Sequence, residues 1–141
     1  MQEQTLAIIK PDAFSRNLVG PIIAMAAEQK LSMVAAQLFH LSRKEVESFY
    51  YVHQEKSFFE SLIQFMTEGP IFVMVLQGEK AITDWREIMG ATNPSEAKEG
   101  TIRQRFGESI ERNAVHGSDT VESARFEIGF FFSSRDLIGG A

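Results

Sequence analysis

Ile71-Phe72-Val73-Met74-Val75-Leu76 is a continuous apolar run that begins directly after Gly69-Pro70. Successive side chains of a strand point to opposite faces of a sheet, so a run without polar positions predicts a strand buried on both faces. The glycine and proline mark its start, because both residues favour turns. We therefore expect residues 71–76 to lie in the middle of the sheet.

Strand and helix patterns alternate along the rest of the chain. Residues 5–10 and 33–41 are predicted strands, and helices are predicted over 19–27, 42–50, 58–66, 79–89 and, briefly, 94–96. The helix over 42–50 has a capping box, because Ser42 is followed three residues later by Glu45. Alternation of this kind favours a parallel α/β sheet, and a split antiparallel arrangement is also compatible with it.

The last third of the chain combines a polar stretch with a helix. Residues 97–113 have little apolar periodicity, and loops of that length in a compact domain are commonly functional or disordered. Asp119, with Glu122 three residues later, predicts the start of a final helix. We expect the tail over residues 137–141 to be loose.

The composition indicates a single acidic domain over residues 1–141. The net charge of -5 argues against bulk attraction to nucleic acid or to anionic membranes. The chain has no cysteine, which is compatible with a reducing cytoplasm. The N-terminus has no basic region followed by an apolar stretch, and no apolar run approaches the length of a membrane span. We expect a cytoplasmic protein.

The segment Asn113-Ala114-Val115-His116-Gly117-Ser118-Asp119 places a histidine between small residues just ahead of the final helix. A neutral imidazole has one lone pair free to attack, so a ring that is open to a cleft can accept and return a phosphoryl group. The nearby helix start favours an anion, because its backbone N–H groups lack partners. The alternative is a histidine that only satisfies a turn.

Side chains that suit phosphate lie elsewhere in the sequence. Lys10 ends the first predicted strand, at a sheet edge where ligands often bind. Four arginines upstream of the histidine offer paired guanidinium donors to phosphate oxygens: Arg86, Arg103, Arg105 and Arg112. Thr92 and Asn113 offer a hydroxyl and an amide. Each residue, taken alone, is equally compatible with a solvated surface or a turn.

Aromatic and acidic residues add to this hypothesis. Phe58 and Tyr50 follow the second strand, where an exposed ring can stack on a nucleobase, whereas Phe59 is expected in the core. Glu127 lies at the edge of the buried face of the final helix. Its carboxylate can orient the imidazole directly or through Ser118, and a solvated helix face is the alternative.

The sequence lacks the common nucleotide and zinc motifs. It has no Gly-x-x-x-x-Gly-Lys-Ser/Thr loop and no kinase-type glycine loop. His40 and His53 lack the flanking ligand spacing of a zinc site. A covalent histidine assisted by basic and hydroxyl groups is the hypothesis that explains most of these features.

The chain resembles the nucleoside diphosphate kinase family over residues 4–132. The resemblance rests on Ile9-Lys10-Pro11-Asp12-Ala13, Phe58-Phe59, Gly69-Pro70, Gly90-Ala91-Thr92-Asn93-Pro94, Gly100-Thr101-Ile102-Arg103, Asn113-Ala114-Val115-His116-Gly117-Ser118-Asp119 and Val121-Glu122-Ser123-Ala124. Several motifs that match in order are far more specific than any one of them. The fold implied is α+β, a ferredoxin-like four-stranded antiparallel sheet (split βαβ) covered by helices, with a long polar loop before the histidine.

The resemblance also implies catalytic roles. His116 would take the γ-phosphoryl group of a nucleoside triphosphate on Nδ1 and pass it to a nucleoside diphosphate in a ping-pong cycle, which maintains triphosphate pools. Ser118 and Glu127 match the residues that position the imidazole, and Tyr50 matches the tyrosine near it. Lys10 matches a residue that serves both catalysis and nucleotide binding.

The nucleotide site implied in this way contains Lys10, Phe58, Arg86, Thr92, Arg103 and Asn113. Phe58 would stack on the base, and the others would hold phosphates and ribose. Mg²⁺ is the implied cofactor, held mainly by the nucleotide phosphates and not by protein ligands. Family members assemble as tetramers or hexamers, so a homo-oligomer is implied.

Two other functions are weighed against the kinase. A nonenzymatic RNA-binding module would use exposed aromatics and a basic loop, and the negative net charge counts against it. A phosphohistidine carrier that serves a protein partner would need His116, but it would give Phe58 and Asn113 no role.

Overall fold

The structure, a computed structural model, describes residues 2–138 and contains one four-stranded sheet. The strands are β1 (Glu3–Ile9), β2 (Ser32–Phe39), β3 (Ile71–Gly78) and β4 (Val115–Gly117). Their spatial order is β2-β3-β1-β4, and every neighbouring pair is antiparallel. The split antiparallel sheet implied by the family resemblance is therefore confirmed, and the parallel sheet favoured by simple alternation is wrong.

Helices connect and cover these strands. They are α1 (Pro11–Ser15), α2 (Val19–Glu28), α3 (Arg43–Phe49), α4 (Phe59–Thr67), α5 (Ala81–Met89), α6 (Ile102–Phe106) and α7 (Val121–Phe131), with short 3₁₀ turns at Tyr51–His53, Pro94–Glu96 and Ser134–Asp136. Within residues 2–138, no helix has the length and apolar character needed to cross a membrane.

Two apolar cores explain why β3 lacks polar positions. Val73 and Val75 pack on one face of the sheet with α3, α4 and α7, whereas Met74 and Leu76 pack on the other face with α2, α5 and α6. Strand β1 alternates in the same way between the two cores. Both faces are covered by helices, so an antiparallel strand here has the continuous apolar pattern that is usual in parallel sheets.

Helix α7 begins one residue later than Asp119 and Glu122 predict. Thr120 is the N-cap, and its side chain accepts a hydrogen bond from the Ser123 N–H at 3.0 Å while Ser123 Oγ accepts from the Thr120 N–H at 2.9 Å. Asp119 does not cap the helix because its carboxylate pairs with Arg86. The capping box predicted at Ser42 and Glu45 is confirmed.

The polar stretch and the tail are more ordered than expected. Residues 97–113 contain α6, and its Ile102 is fully buried in the core. Leu137 packs on the core and the Ile138 N–H donates to the Val34 carbonyl at 3.0 Å, so the expectation of a loose tail is wrong for these two residues. Residues 139–141 lie outside the described part of the chain.

Gly117 packs directly against α5. A β-carbon at this position would lie 2.5 Å from Trp85 Cδ1 and 2.7 Å from Met89 Cε, and both of these side chains are buried. We predict that Gly117→Ala lowers the free energy of unfolding by about 1–3 kcal/mol, because the core must be overpacked to admit the methyl group. Urea denaturation measures this change.

Gly129 provides the matched control. It lies inside α7 and is exposed, and a β-carbon added there would meet no side chain or neighbouring element within 4 Å. Gly129→Ala should raise the free energy of unfolding by about 0.5–1 kcal/mol, because glycine loses more backbone entropy in a helix. Equal effects at the two positions would contradict the packing argument.

Candidate active site

His116 lies in the short edge strand β4, with 17% of its side chain exposed. Its Nε2 is 2.8 Å from Glu127 Oε1, and Trp85 Nε1–H donates to its backbone carbonyl at 3.1 Å. A carboxylate only accepts hydrogen bonds, so Nε2 carries the hydrogen in this pair. The lone pair of the neutral ring is consequently on Nδ1.

Ser118 fixes the carboxylate that holds the imidazole. The Leu6 N–H donates to Ser118 Oγ at 3.1 Å, and this hydroxyl donates in turn to Glu127 Oε1 at 2.9 Å. Ser118 is fully buried, so the relay runs from the backbone of β1 to the ring of His116 without a mobile group. The sequence is compatible with a contact between Glu127 and the imidazole that is either direct or mediated by Ser118. In the structure the contact is direct, and Ser118 donates a hydrogen bond to the same carboxylate oxygen.

A pocket of about 270 Å³ opens beside the imidazole. It is lined by Arg86, Met89, Gly90, Ala91, Thr92, Arg103, His116, Gly117 and Asp119. Arg86 and Asp119 form an ion pair at its mouth, where both side chains are at least half exposed. With Arg86 and Arg103 against Asp119, the pocket has a cationic excess and suits an anionic group next to His116.

Arg103 is the buried cation of this pocket. Its two terminal nitrogens donate to the carbonyls of Gly90 at 3.0 Å and Val115 at 2.8 Å, while Nε has no partner among the described residues. Burial, followed by the charge of Arg86, lowers the pKa of Arg103 to about 10. A phosphate would relieve both effects, because it restores an opposite charge to the desolvated guanidinium.

Lys10 and Asn113 form a second polar group behind the pocket. Lys10 Nζ donates to Asn113 Oδ1 at 2.9 Å, and Asn113 Nδ2 donates to the Thr92 carbonyl at 3.0 Å. Both side chains are buried. Burial, followed by the charge of Arg103, lowers the pKa of Lys10 to about 8.

Aromatic rings surround the other side of the imidazole. The rings of Phe49 and Tyr50 meet it edge-on at centroid distances of 5.5 and 6.0 Å. The Tyr50 hydroxyl is buried and has no partner among residues 2–138, and burial, aided by the charge of Glu127, raises the pKa of Tyr50. Phe58 is 46% exposed and reaches this group only through the ring of His53, whereas Phe59 packs on the core as expected.

The structure thus gathers most of the predicted site residues. Arg86, Thr92, Arg103 and His116 line the pocket, and Tyr50, Asn113 and Glu127 contact His116 or Thr92 directly. Lys10 and Ser118 are one contact further away, through Asn113 and Glu127. Phe58 does not line the pocket. Sequence reasoning gave no place in the site to Trp85, which donates to the His116 carbonyl, or to the Asp119 carboxylate, which pairs with Arg86. Asp119 stands inside a quoted motif, and no local signal distinguishes Trp85 from a core residue.

A larger pocket, of about 440 Å³, lies between α2, α5 and residues 98–101. Its lining includes Glu28, Asp84, Glu87 and Glu99 against Lys98 and Arg105. An excess of carboxylates repels phosphate. None of the predicted site residues lines it, so the smaller pocket at His116 is the better candidate.

The arrangement at His116 combines a nucleophilic nitrogen, a fixed carboxylate behind it and cations in front. Phosphoryl transfer requires mainly positioning and electrostatic stabilisation, and these groups supply both. The fold and the site therefore fit a phosphotransferase, with His116 as the candidate phosphoryl acceptor.

Comparison with known proteins identifies the family. The family model described as nucleoside diphosphate kinase matches residues 3–137. The nucleoside diphosphate kinase of Oleidesulfovibrio alaskensis is 53% identical over 139 residues, which cover 99% of this chain and 100% of that protein. That of Chlamydia trachomatis serovar A is 53% identical over 136 residues, 96% of each chain. This chain belongs to the nucleoside diphosphate kinase family.

Solved structures agree with this assignment. The Aquifex aeolicus nucleoside diphosphate kinase superposes with a TM-score of 0.95 at 39% identity, covering 98% of this chain and 100% of that one. A nucleoside diphosphate kinase family protein from Babesia bovis gives a TM-score of 0.92 at 34% identity, covering 99% and 94%. The ferredoxin-like fold and the phosphotransferase activity implied by the sequence are therefore confirmed.

The depressed pKa of Lys10 predicts a pH-dependent stability. Folded Lys10 releases its proton near pH 8, whereas the unfolded chain holds that proton up to about pH 10.5. The unfolded state binds more protons in this window, so stability due to Lys10 rises as pH increases from 8 to 10.5. We expect wild-type protein to gain about 3 kcal/mol relative to Lys10→Met over this range.

Urea denaturation of both proteins at half-unit pH intervals measures this difference. Subtracting the variant removes the other titrating groups that the two proteins share. Parallel stability curves for wild-type protein and Lys10→Met would contradict the desolvation of Lys10.

Proposed function

We propose that His116 Nδ1 is the phosphoryl acceptor of a ping-pong nucleoside diphosphate kinase reaction. Its lone pair attacks the γ-phosphorus of a nucleoside triphosphate, and the bond from that phosphorus to the β–γ bridging oxygen breaks. The diphosphate leaves, a second diphosphate enters, and its terminal oxygen takes the phosphoryl group from Nδ1. The observation that carries this proposal is the 2.8 Å contact between Nε2 and Glu127, which occupies Nε2 and leaves the lone pair of Nδ1 free on a residue that lines the pocket.

Glu127 and Ser118 would act by positioning and charge. When Nδ1 becomes phosphorylated, the ring gains positive character, and the carboxylate on Nε2 stabilises it. Tyr50 would limit the motion of the ring through the edge contact at 6.0 Å. These three residues give the phosphorylated imidazole one orientation.

The cations would hold the phosphate groups. Arg86 and Arg103 line the pocket, and Lys10 lies behind it through Asn113. We propose that Arg86 exchanges Asp119 for phosphate oxygens when nucleotide binds, since its ion pair is exposed and therefore weak. Thr92 and Asn113 would donate to phosphate and to ribose hydroxyls.

A divalent cation fits the family, and we propose that it is Mg²⁺. Among residues 2–138, no group of three or more His, Asp or Glu side chains is arranged to hold a metal ion. The cation would therefore be carried mainly by the nucleotide phosphates, whose charge it would neutralise.

We further propose that residues 1–141 act as one catalytic domain in a cytoplasmic homo-oligomer, a tetramer or a hexamer. Strand β2 supports an assembly, because it is at the edge of the sheet and Leu38 is 56% exposed on it. An open edge strand presents unpaired backbone groups to a second chain. The net charge of -5 gives no support to nucleic acid as a partner.

The nucleophile prediction uses His116→Ala. Incubation with γ-labelled ATP should give wild-type phosphoprotein that is labile in acid and stable in alkali, and the variant should give none. Turnover of diphosphates should fall by at least about 10³-fold, as for loss of other covalent nucleophiles.

His40→Ala is the matched control, because His40 does not line the pocket and its Nε2 lies 3.0 Å from the Thr67 carbonyl. It should keep full labelling and turnover. Normal diphosphate phosphorylation by His116→Ala would overturn the proposed mechanism.

The base-stacking prediction uses Phe58→Ala. Stacking on an aromatic ring contributes about 1–3 kcal/mol per base, so we expect the KM for nucleoside diphosphates to rise by roughly tenfold with a smaller change in kcat. Steady-state kinetics with several diphosphates measure both constants.

Phe126→Ala is the control for the loss of an exposed ring, since Phe126 is 42% exposed and contacts Tyr51 and Phe130. It should leave the nucleotide KM unchanged. Unchanged kinetics in Phe58→Ala would instead favour a phosphohistidine carrier that serves a protein partner.

A further inference from the structure

Ala114 has an unusual backbone conformation between two proposed functional residues. Its φ angle is 76°, and the Val115 N–H donates to the Asn113 carbonyl at 2.9 Å, which closes a γ-turn around it. A γ-turn with positive φ is rare and strained, and alanine, unlike glycine, has a β-carbon that opposes it. The surrounding contacts must therefore impose this conformation.

Two hydrogen bonds hold the peptide groups of Ala114. Asp12 Oδ2 accepts from the Ala114 N–H at 3.0 Å, and the Lys10 N–H donates to the Ala114 carbonyl at 2.8 Å. The second bond is backbone to backbone and continues the pairing of β1 with β4. The first is the only one of the two that depends on a side chain.

Asp12 is built into the fold as a buried acceptor. Its side chain has no exposed surface, it lies in the first turn of α1 directly after Pro11, and Arg16 Nη2 is 3.8 Å from Oδ2. Burial raises the pKa of Asp12, with Lys10 and the Ala114 N–H as the leading opposing effects. A buried carboxyl group is costly, so its presence in this place calls for a structural use.

We propose that Asp12 is a positioning residue for phosphoryl transfer, because its carboxylate holds the strained turn at Ala114 that orients Asn113 and His116. This inference rests on the proposed function of His116. Asn113 precedes Ala114 and bonds to Lys10 Nζ and to the Thr92 carbonyl, while His116 follows two residues later.

A relaxed turn would act on both flanks at once. Rotation of the Ala114 peptide groups would move the Asn113 amide from Lys10 and would shift β4, which carries the imidazole. Displacement of about 1 Å at a reacting group can cost up to roughly 10²-fold in rate. Asp12 would thus affect the reaction through position, without touching the nucleotide.

The test measures the rate of His116 phosphorylation by ATP in a rapid-quench experiment, at a temperature where every variant is folded by circular dichroism. Asp12→Ala removes the acceptor and should slow the reaction by roughly tenfold, which corresponds to the strain of one disfavoured backbone residue. Asp12→Asn keeps an acceptor oxygen but not the charge, and it should retain most of the rate.

Ala114→Gly supplies the decisive combination. Glycine adopts positive φ without steric cost. The double variant Asp12→Ala/Ala114→Gly should therefore react at least about threefold faster than Asp12→Ala, which recovers half of the tenfold loss on a logarithmic scale. Ala114→Gly alone should stay near the wild-type rate. A double variant as slow as Asp12→Ala, or an equally slow Asp12→Asn, would overturn the inference.

A structural measurement separates this inference from the proposed function. The intraresidue NOE between the Ala114 amide and α protons is strongest when φ is positive, because the two protons are then closest, and it should weaken in Asp12→Ala but not in Asp12→Asn. Wild-type protein that forms no phosphohistidine would refute the proposed function, while this NOE still tests the hold of Asp12 on the turn. An unchanged NOE in Asp12→Ala overturns the inference. If Asp12→Ala does not fold, the rate and the NOE of Asp12→Asn decide, and a loss of either overturns the inference.

Discussion

The pairing of β1 with both β3 and β4 is the constraint on which the site depends. Ile8 lies opposite His116 in the register, so the position of the imidazole follows directly from the backbone of a fully buried strand segment. The same strand places the Leu6 N–H on Ser118 and ends next to Lys10. One strand therefore arranges the proposed nucleophile, the proposed positioning hydroxyl and the buried cation, and its partner β3 is itself buried on both faces.

Burial of charge in this site has an electrostatic consequence. Lys10 and Arg103 both have pKa values lowered mainly by desolvation, and a neighbouring cation adds to the effect on each. Their protonated forms are less stable here than in water, because burial removes hydration and the negative charge nearby does not compensate for it. An anionic ligand would stabilise the protonated side chains. The proposed phosphate site would therefore bind more tightly, because these two cations are destabilised in the protein without ligand.

Local sequence signals predicted the elements that depend on nearest neighbours. The capping box at Ser42, the apolar run at 71–76 and the end of the helix before Gly90 each involve residues a few positions apart, and each matches the structure. Strand β4 has only three residues, too few for a period, and its pairing partner β1 is more than 100 residues away. Sheet direction and the contact between Asp12 and Ala114 also join residues that are at least 32 positions apart, so periodicity could not supply them, although the ordered motifs did supply the fold and most of the candidate site.

The contrast between the rigid and the exposed parts of the site bears on specificity. His116, Arg103, Lys10 and Asn113 are held by hydrogen bonds to backbone or to other side chains, whereas Phe58 is a half-exposed ring with only aromatic contact to His53. Under the proposed roles, the groups shared by all nucleotides meet the fixed side chains, and the variable base meets an apolar face. Discrimination among bases needs polar groups that remain unpaired with the wrong base. A single ring offers none, so this division of the site favours phosphoryl transfer with broad tolerance of the base.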